Sequence, residues 1–259
     1  MRPKKSLGQN FLRDESVINR IVGALDISEG ETVVEIGPGR GALTERLVST
    51  GANVLAIEID RELVPVLRTQ FHFQSNFKVV EADILTCDLV SLLTGLDPAK
   101  TKLVGNLPYY ISTPIIQRLI EYRQFFSRIL LMLQREVVER LTASPGDSER
   151  GFITVMVEDA FDAKQLFDVE PQAFFPAPKV WSSVMSLEPK ISGIVDQKVF
   201  RQLVSISFSQ KRKTILNNLK AAFPNATEML LNAGIEPIRR AETLTLEEWK
   251  KLAGNIGRS

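Results

Sequence analysis

The run Thr32-Val33-Val34-Glu35-Ile36 is followed at once by Gly37-Pro38-Gly39-Arg40-Gly41, and that by Ala42-Leu43-Thr44-Glu45-Arg46-Leu47-Val48 before Gly51. No other stretch limits the fold as much. It predicts a buried strand, a glycine-rich turn and a helix, the unit in which a ligand reaches backbone closely at a helix N-terminus. A second strand, Asn53-Val54-Leu55-Ala56-Ile57, ends in Glu58, 21 residues after Gly37. In doubly wound α/β folds a carboxylate at that place takes ribose hydroxyls.

A lone glycine-rich turn also fits a dinucleotide fold. The spacing here is Gly-x-Gly-x-Gly, and Pro38 removes a backbone donor from the loop. Gly37, Gly39 and Gly41 with Glu58 therefore favour an adenosyl ligand without a pyrophosphate, S-adenosylmethionine ahead of a nicotinamide cofactor. The third strand, Phe77-Lys78-Val79-Val80, leads to Asp83, placed to accept from an adenine amine or to cap a helix, with Ile84 packing nearby. The fourth, Lys102-Leu103-Val104-Gly105, delivers Asn106. Glu58, Asp83 and Asn106 thus converge where open α/β sheets bind ligands.

Asn106-Leu107-Pro108-Tyr109 combines an amide, a rigid turn residue and an aromatic ring. The Asn106 side-chain oxygen and the Leu107 carbonyl can each accept one hydrogen of an exocyclic amine, and Pro108 fixes φ between them. Tyr109 can stack on the ring, a contact worth ~1–3 kcal/mol per base. By their letters alone these residues also fit an Asn-Pro turn with a buried tyrosine.

The opening arm, through Leu7-Gly8-Gln9-Asn10-Phe11-Leu12, is too polar for a regular element and is expected to lie across the main domain. Ser16 is expected to cap a helix with Val17, Ile18, Ile21, Val22 and Leu25 on one face. A helix opens near Thr113-Pro114, 128–133 reads as a fifth strand and 134–141 as an amphipathic helix. The β-leaning runs 167–169 and 181–187 bracket Phe174-Phe175-Pro176-Ala177-Pro178-Lys179. By itself this loop reads as a Pro-rich hairpin with both phenylalanines in the core. As a base contact it would set Phe174 or Phe175 opposite Tyr109 and Lys179 on phosphate.

The 259 residues carry a formal net charge of +1. From Lys190 on there are 12 Lys/Arg against 6 Asp/Glu, which leaves the first 189 residues net negative. Helices expected at 199–208, 211–219, 226–233 and 245–253, the last opened by the capping-box pattern of Thr245 and Glu248, make this tail a small helical domain. Lys211, Arg212, Lys213, Lys220, Arg239 and Arg240 give it either a polyanion-binding surface or an ordinary solvated face. Domains are expected at 1–189 and 190–259. A single cysteine, Cys87, excludes an intrachain disulfide and points to a reducing compartment. The polar Ser6-Leu7-Gly8-Gln9-Asn10 after a basic start speaks against a signal peptide, and apolar runs are too short to span a membrane. His72, the only histidine, lies near a helix end away from the strand ends, so no metal is expected.

Taken together, these motifs resemble the ribosomal RNA adenine dimethyltransferases of the bacterial small-subunit type. The likeness runs from the arm 7–12 through 35–41, Glu58, Asp83, 106–109 and 174–180 to Lys211-Arg212-Lys213 and Ala241-Glu242-Thr243-Leu244. It implies a Rossmann-like class I methyltransferase domain, S-adenosylmethionine as donor and S-adenosylhomocysteine as product. Gly37, Glu58 and Asp83 would hold the donor, helped by Asn10, Leu12 and Asn106; Asn106, Tyr109 and Phe174 would hold the target adenine. The resemblance further implies N6 dimethylation of two adjacent adenosines near the 3′ end of 16S rRNA within the 30S subunit or its precursor, by a cytoplasmic monomer. Tyr110 and Trp181 depart from the family pattern, which usually has a smaller polar residue at the first place and an acidic or polar one at the second, and both bear on the RNA-facing rim. Competing readings are a large-subunit rRNA adenine methyltransferase of the resistance type, a non-catalytic assembly factor and an NAD oxidoreductase.

Overall fold

The computed structural model describes residues 3–4, 7–190 and 196–256. Met1, Arg2, Lys5 and Ser6 of the expected arm, and 191–195 and 257–259 of the expected tail, lie outside the described residues. The chain divides into two compact units, one of Met1–Val138 with Asp162–Pro189, the other of Glu139–Phe161 with the residues from Lys190 on. The boundary expected at 189/190 is thus where the second unit resumes, and that unit also claims Glu139–Phe161. This insert brings two arginines and five carboxylates, which lowers the unit's net charge from +6 to +3.

The first unit is built on strands β1 (Phe11–Leu12), β2 (Thr32–Ile36), β3 (Asn53–Glu58), β4 (Phe77–Glu81), β5 (Thr101–Asn106), β6 (Arg128–Gln134), β7 (Phe161–Val169), β8 (Phe174–Phe175) and β9 (Ser182–Pro189). The large sheet has the order β4-β3-β2-β5-β6-β9-β7. Its first five strands run parallel, and β9 is antiparallel to β6. Successive side chains of a strand point to opposite faces, so Val33 and Val34, each 0% exposed, require cover on both sides of the sheet. On one side Val33, Val54, Val104, Leu130 and Met132 join helices α1 (Glu15–Leu25) and α2 (Ala42–Val48) in one core. The doubly wound α/β expectation holds, and the strand order changes direction between β2 and β5, where such sheets open a crevice.

Local sequence explains the element ends, with corrections. Helix α1 is capped by Asp14, whose carboxylate accepts from the Ser16 and Val17 amides, and not by Ser16 itself. Helices α3 (Leu63–Gln70), α4 (Leu89–Leu93) and α5 (Ser112–Tyr122) follow β3, β4 and β5, and α6 (Arg135–Leu141) follows β6.

In the second unit, helices α7 (Phe152–Ala160), α8 (Gln197–Ser207), α9 (Ile215–Leu219), α10 (Ala226–Asn232) and α11 (Leu246–Gly254) bury Phe200, Leu203, Ile215, Leu230 and Trp249. The Thr245/Glu248 capping box is present. Lys211, Arg212 and Lys213 precede α9 and are exposed, because Thr214 caps the helix at the Asn217 amide. Arg239 pairs with Glu248 at 2.5 Å, so its charge is largely spent inside the unit.

Candidate functional site

A cavity of about 130 Å³ lies at the carboxyl ends of β2, β3, β4 and β5. Register brings their tips together: Ile36 pairs with Ile57 and Gly105, Glu58 with Glu81, and Asn106 with Met132. Asn10, Leu12, Gly37, Gly39, Glu58, Asp83, Ile84 and Asn106 to Tyr109 all line this cavity.

The glycine loop takes positive φ at Gly37 (65°), Gly39 (59°) and Gly41 (80°), a region that side chains avoid. A Cβ on Gly37 would meet nothing within 4 Å, so the loop leaves open space there. Gly41 does not line the cavity, contrary to its expected role. It caps α2, and a Cβ on it would stand 2.9 Å from the Phe71 ring, so this glycine serves packing.

Glu58 is 4% exposed, and its two oxygens accept from the Gly39 amide (3.1 Å) and the Asp60 amide (2.8 Å). Burial pushes its carboxyl above the ordinary range, against those two hydrogen bonds. Each oxygen keeps acceptor capacity for a hydroxyl pair. Deeper, Glu35 is fully buried and takes a 2.7 Å hydrogen bond from the Thr44 hydroxyl; burial raises it to about 8, with Thr44 opposing and the Glu58 charge assisting. Asp83 turns the chain after β4, its Oδ1 accepting from the Leu85 amide at 2.8 Å.

At the other end, Asn106 Nδ2 donates to the Asn10 carbonyl (3.1 Å). That bond fixes the amide plane and assigns its oxygen as the acceptor. Leu107 is 1% exposed and donates its amide to the Met132 carbonyl, so the turn is anchored on β6. The half-buried Tyr109 shares a 3.0 Å hydrogen bond between its hydroxyl and Ser182 Oγ, and burial raises its pKa.

The arm closes one wall. Phe11 and Leu12 pair antiparallel with Phe175 and Phe174. Lys4 Nζ meets Asp60 at 2.7 Å and Glu62 at 3.0 Å, while Gln9 Nε2 donates to Asp60 at 2.9 Å. Burial pushes the Asp60 carboxyl up, but the Lys4 and Gln9 hydrogen bonds outweigh it and hold it below its usual value. Sequence reasoning missed this latch and the Ser182 anchor. Asp60, two residues beyond the strand-end Glu58, was the available signal.

Phe174 is the main departure. It is 2% exposed, sits in the core beside Leu12 and Val184, and does not line the cavity. Strand alternation turns Phe175 outward at 51% exposure. Lys179 is exposed on the following loop, and Lys211, Arg212 and Lys213 are exposed in the second unit, none of them lining the cavity. Among the described residues no cluster of His, Cys, Asp or Glu could hold a metal ion, and no helix is long and apolar enough to cross a membrane.

A family model described as ribosomal RNA adenine dimethylase matches residues 1–256. Similar curated proteins include the ribosomal RNA small subunit methyltransferase A of Syntrophotalea carbinolica, 45% identical over 97% of this chain and 96% of its own length. That of Geobacter metallireducens is 42% identical over 98% and 95%. Among solved structures, a dimethyladenosine transferase from Plasmodium falciparum aligns with TM-score 0.78 and 27% identity, covering 93% of this chain and 95% of the other. The 23S rRNA methyltransferase ErmE aligns with TM-score 0.73 and 26% identity, covering 96% and 100%. A match over nearly the whole length, joined to a rim carrying Glu58, Asn106 and Tyr109, places this chain in the ribosomal RNA adenine dimethylase family.

Proposed function

We propose that this chain dimethylates the N6 amines of two adjacent adenosines near the 3′ end of small-subunit ribosomal RNA, in the 30S particle or its precursor, as a cytoplasmic monomer. The observation that carries the reading is Asn106, an amide oriented by the Asn10 carbonyl in the cavity that Glu58 and Tyr109 also line. The small-subunit assignment is supported by relatives at 42% and 45% identity whose names carry that substrate, against 26% for the large-subunit enzyme.

S-adenosylmethionine, when bound, supplies a methyl group already made electrophilic by its sulfonium centre. The residues present fit it: a buried carboxylate at Glu58, open space at Gly37, and Asp83 with Ile84 after β4. Asn10, Leu12, Gly39 and Asn106 complete the holding set. The Asn106 oxygen and the Leu107 carbonyl each accept one hydrogen of the adenine amine, which draws the nitrogen towards tetrahedral geometry and frees its lone pair. Tyr109 grips the ring face. As N6 takes the methyl the donor would depart as neutral S-adenosylhomocysteine, and the proton made acidic on the methylated nitrogen would pass to water, so positioning and electrostatics supply the acceleration and no strongly basic side chain is needed. The monomethylated amine re-enters with one hydrogen left, for which one acceptor suffices. Phe174 backs the arm from the core through Leu12, and Lys179 with Lys211, Arg212 and Lys213 takes RNA phosphate.

The test offers isolated 30S particles and, separately, large-subunit RNA with labelled donor. N6,N6-dimethyladenosine confined to small-subunit RNA is expected. Label confined to large-subunit RNA, or none, overturns the reading.

A further inference from the structure

We propose that Trp181 is a stacking platform for the nucleotide next to the target adenosine, which it holds outside the cavity while its neighbour reacts; this rests on the RNA-methylating reading above. The chain has two tryptophans with opposite fates: Trp249 is 0% exposed, whereas Trp181 is 40% exposed. Single exposed apolar side chains are ordinary, so position has to decide. Ser182, the next residue, shares the 3.0 Å hydrogen bond with the Tyr109 hydroxyl, which ties Trp181 to the residue that grips the target ring. On its other side the Trp181 carbonyl accepts from the Arg135 amide at 3.0 Å. Trp181 is therefore pinned through its own carbonyl and through the side chain of its neighbour Ser182, while its indole stays 40% exposed.

Charge is arranged to match. The Arg135 guanidinium sits over one face of the indole, 5.9 Å from its centroid, so a base would stack on the opposite face, and Lys179 is exposed two residues away. Tyr110, at 60% exposure, lines the cavity and is a second exposed aromatic of this unit, whereas Trp181 lies outside the cavity lining. An aromatic face flanked by cations suits single-stranded nucleic acid, whose bases stack while its phosphates pair with the charges. The occupant follows from the substrate: extruding one of two adjacent adenosines removes a stacking partner from the other. Trp181 replaces that partner.

The experiment uses the full chain and a synthetic stem-loop RNA with two adjacent adenosines in its loop. Because Trp249 is buried, RNA binding should quench the emission of Trp181, and Trp181→Phe should abolish the quench while keeping most of the affinity. Trp181→Ala should weaken RNA binding about tenfold, within the range of one base stack, and leave S-adenosylmethionine binding unchanged. The decisive arm replaces the neighbouring adenosine by an abasic site, upon which wild type and Trp181→Ala should bind equally; a purely structural tryptophan would keep its penalty. A persistent penalty on the abasic RNA, or no quench in the wild-type protein, overturns the inference. If 30S particles are still methylated in that case, the proposed function stands without it; loss of methylation by the wild-type chain would sink the function instead.

Discussion

At the Glu58 end of the cavity a carboxylate is held by backbone: the Gly39 and Asp60 amides come from within 19 residues of it and point at its two oxygens. At the Asn106 end distant parts of the chain do the holding, since Asn106 bonds the Asn10 carbonyl across 96 residues and Tyr109 bonds Ser182 across 73. The first arrangement is complete once β2 and β3 pair. The second exists only after the arm and β9 are docked. The carboxylate end of the donor pocket is therefore set locally, whereas the base clamp, and the Asn10 and Leu12 wall that the donor also needs, depend on the docking of the arm.

The sharpest way to break this comparison is Asn106→Ala. Methyl transfer should fall by about 10²–10³, the scale of losing one preorganised polar contact to the reacting group, far more than donor affinity weakens by calorimetry. Equal losses in both would make the two ends one site. Next in size is Glu58→Ala, which leaves the Gly39 and Asp60 amides without their acceptor, at ~1–3 kcal/mol for each such buried group. Donor binding should weaken at least tenfold and the melting temperature should drop, with kcat recovering at saturating donor.

A smaller effect concerns pH. Glu35 sits at about 8 in the folded chain against an ordinary 4.5, so the folded state binds its proton more tightly. Its contribution to stability is full below about 4.5 and is lost as pH climbs through about 8. Glu35→Gln should flatten the fall in melting temperature between those values; a fall of wild-type steepness would show that Glu35 is not its source. The smallest effect is that of Tyr109→Phe, which keeps the ring and removes the bond to Ser182. It should raise the RNA KM a few-fold and cost ~0.5–1.5 kcal/mol of stability in a denaturant titration, whereas no change in KM would place the grip elsewhere.

Much of the donor end was legible because its signals are local. Val33 and Val34 announce a strand, Gly37 and Gly39 a turn that only glycine makes cheaply, and Glu58 sits at a fixed distance beyond. Helix α7 was not legible: Thr154, Val155, Met156, Val157, Asp159 and Ala160 are all buried, so it shows no polar stripe at helical spacing. Gly41 looked like a ligand contact because nothing in the loop's letters says that Phe71 will pack against it. The 211–219 helix shortened to Ile215–Leu219 because Thr214 offers a cap that ends it on the N-terminal side.

By itself the sequence determined strands β2 to β6, the glycine turn and the strand-end order of Glu58, Asp83 and Asn106, since backbone preference and side-chain period act over a few residues. Only the tertiary structure decided which of Phe174 and Phe175 faces the core, which amide oxygen is left to accept, and that Glu139–Phe161 joins the tail. Each of these depends on a partner far away in the chain, β1 for the phenylalanines and Asn10 for Asn106, and pairing across such distances is set by the packing of the whole unit.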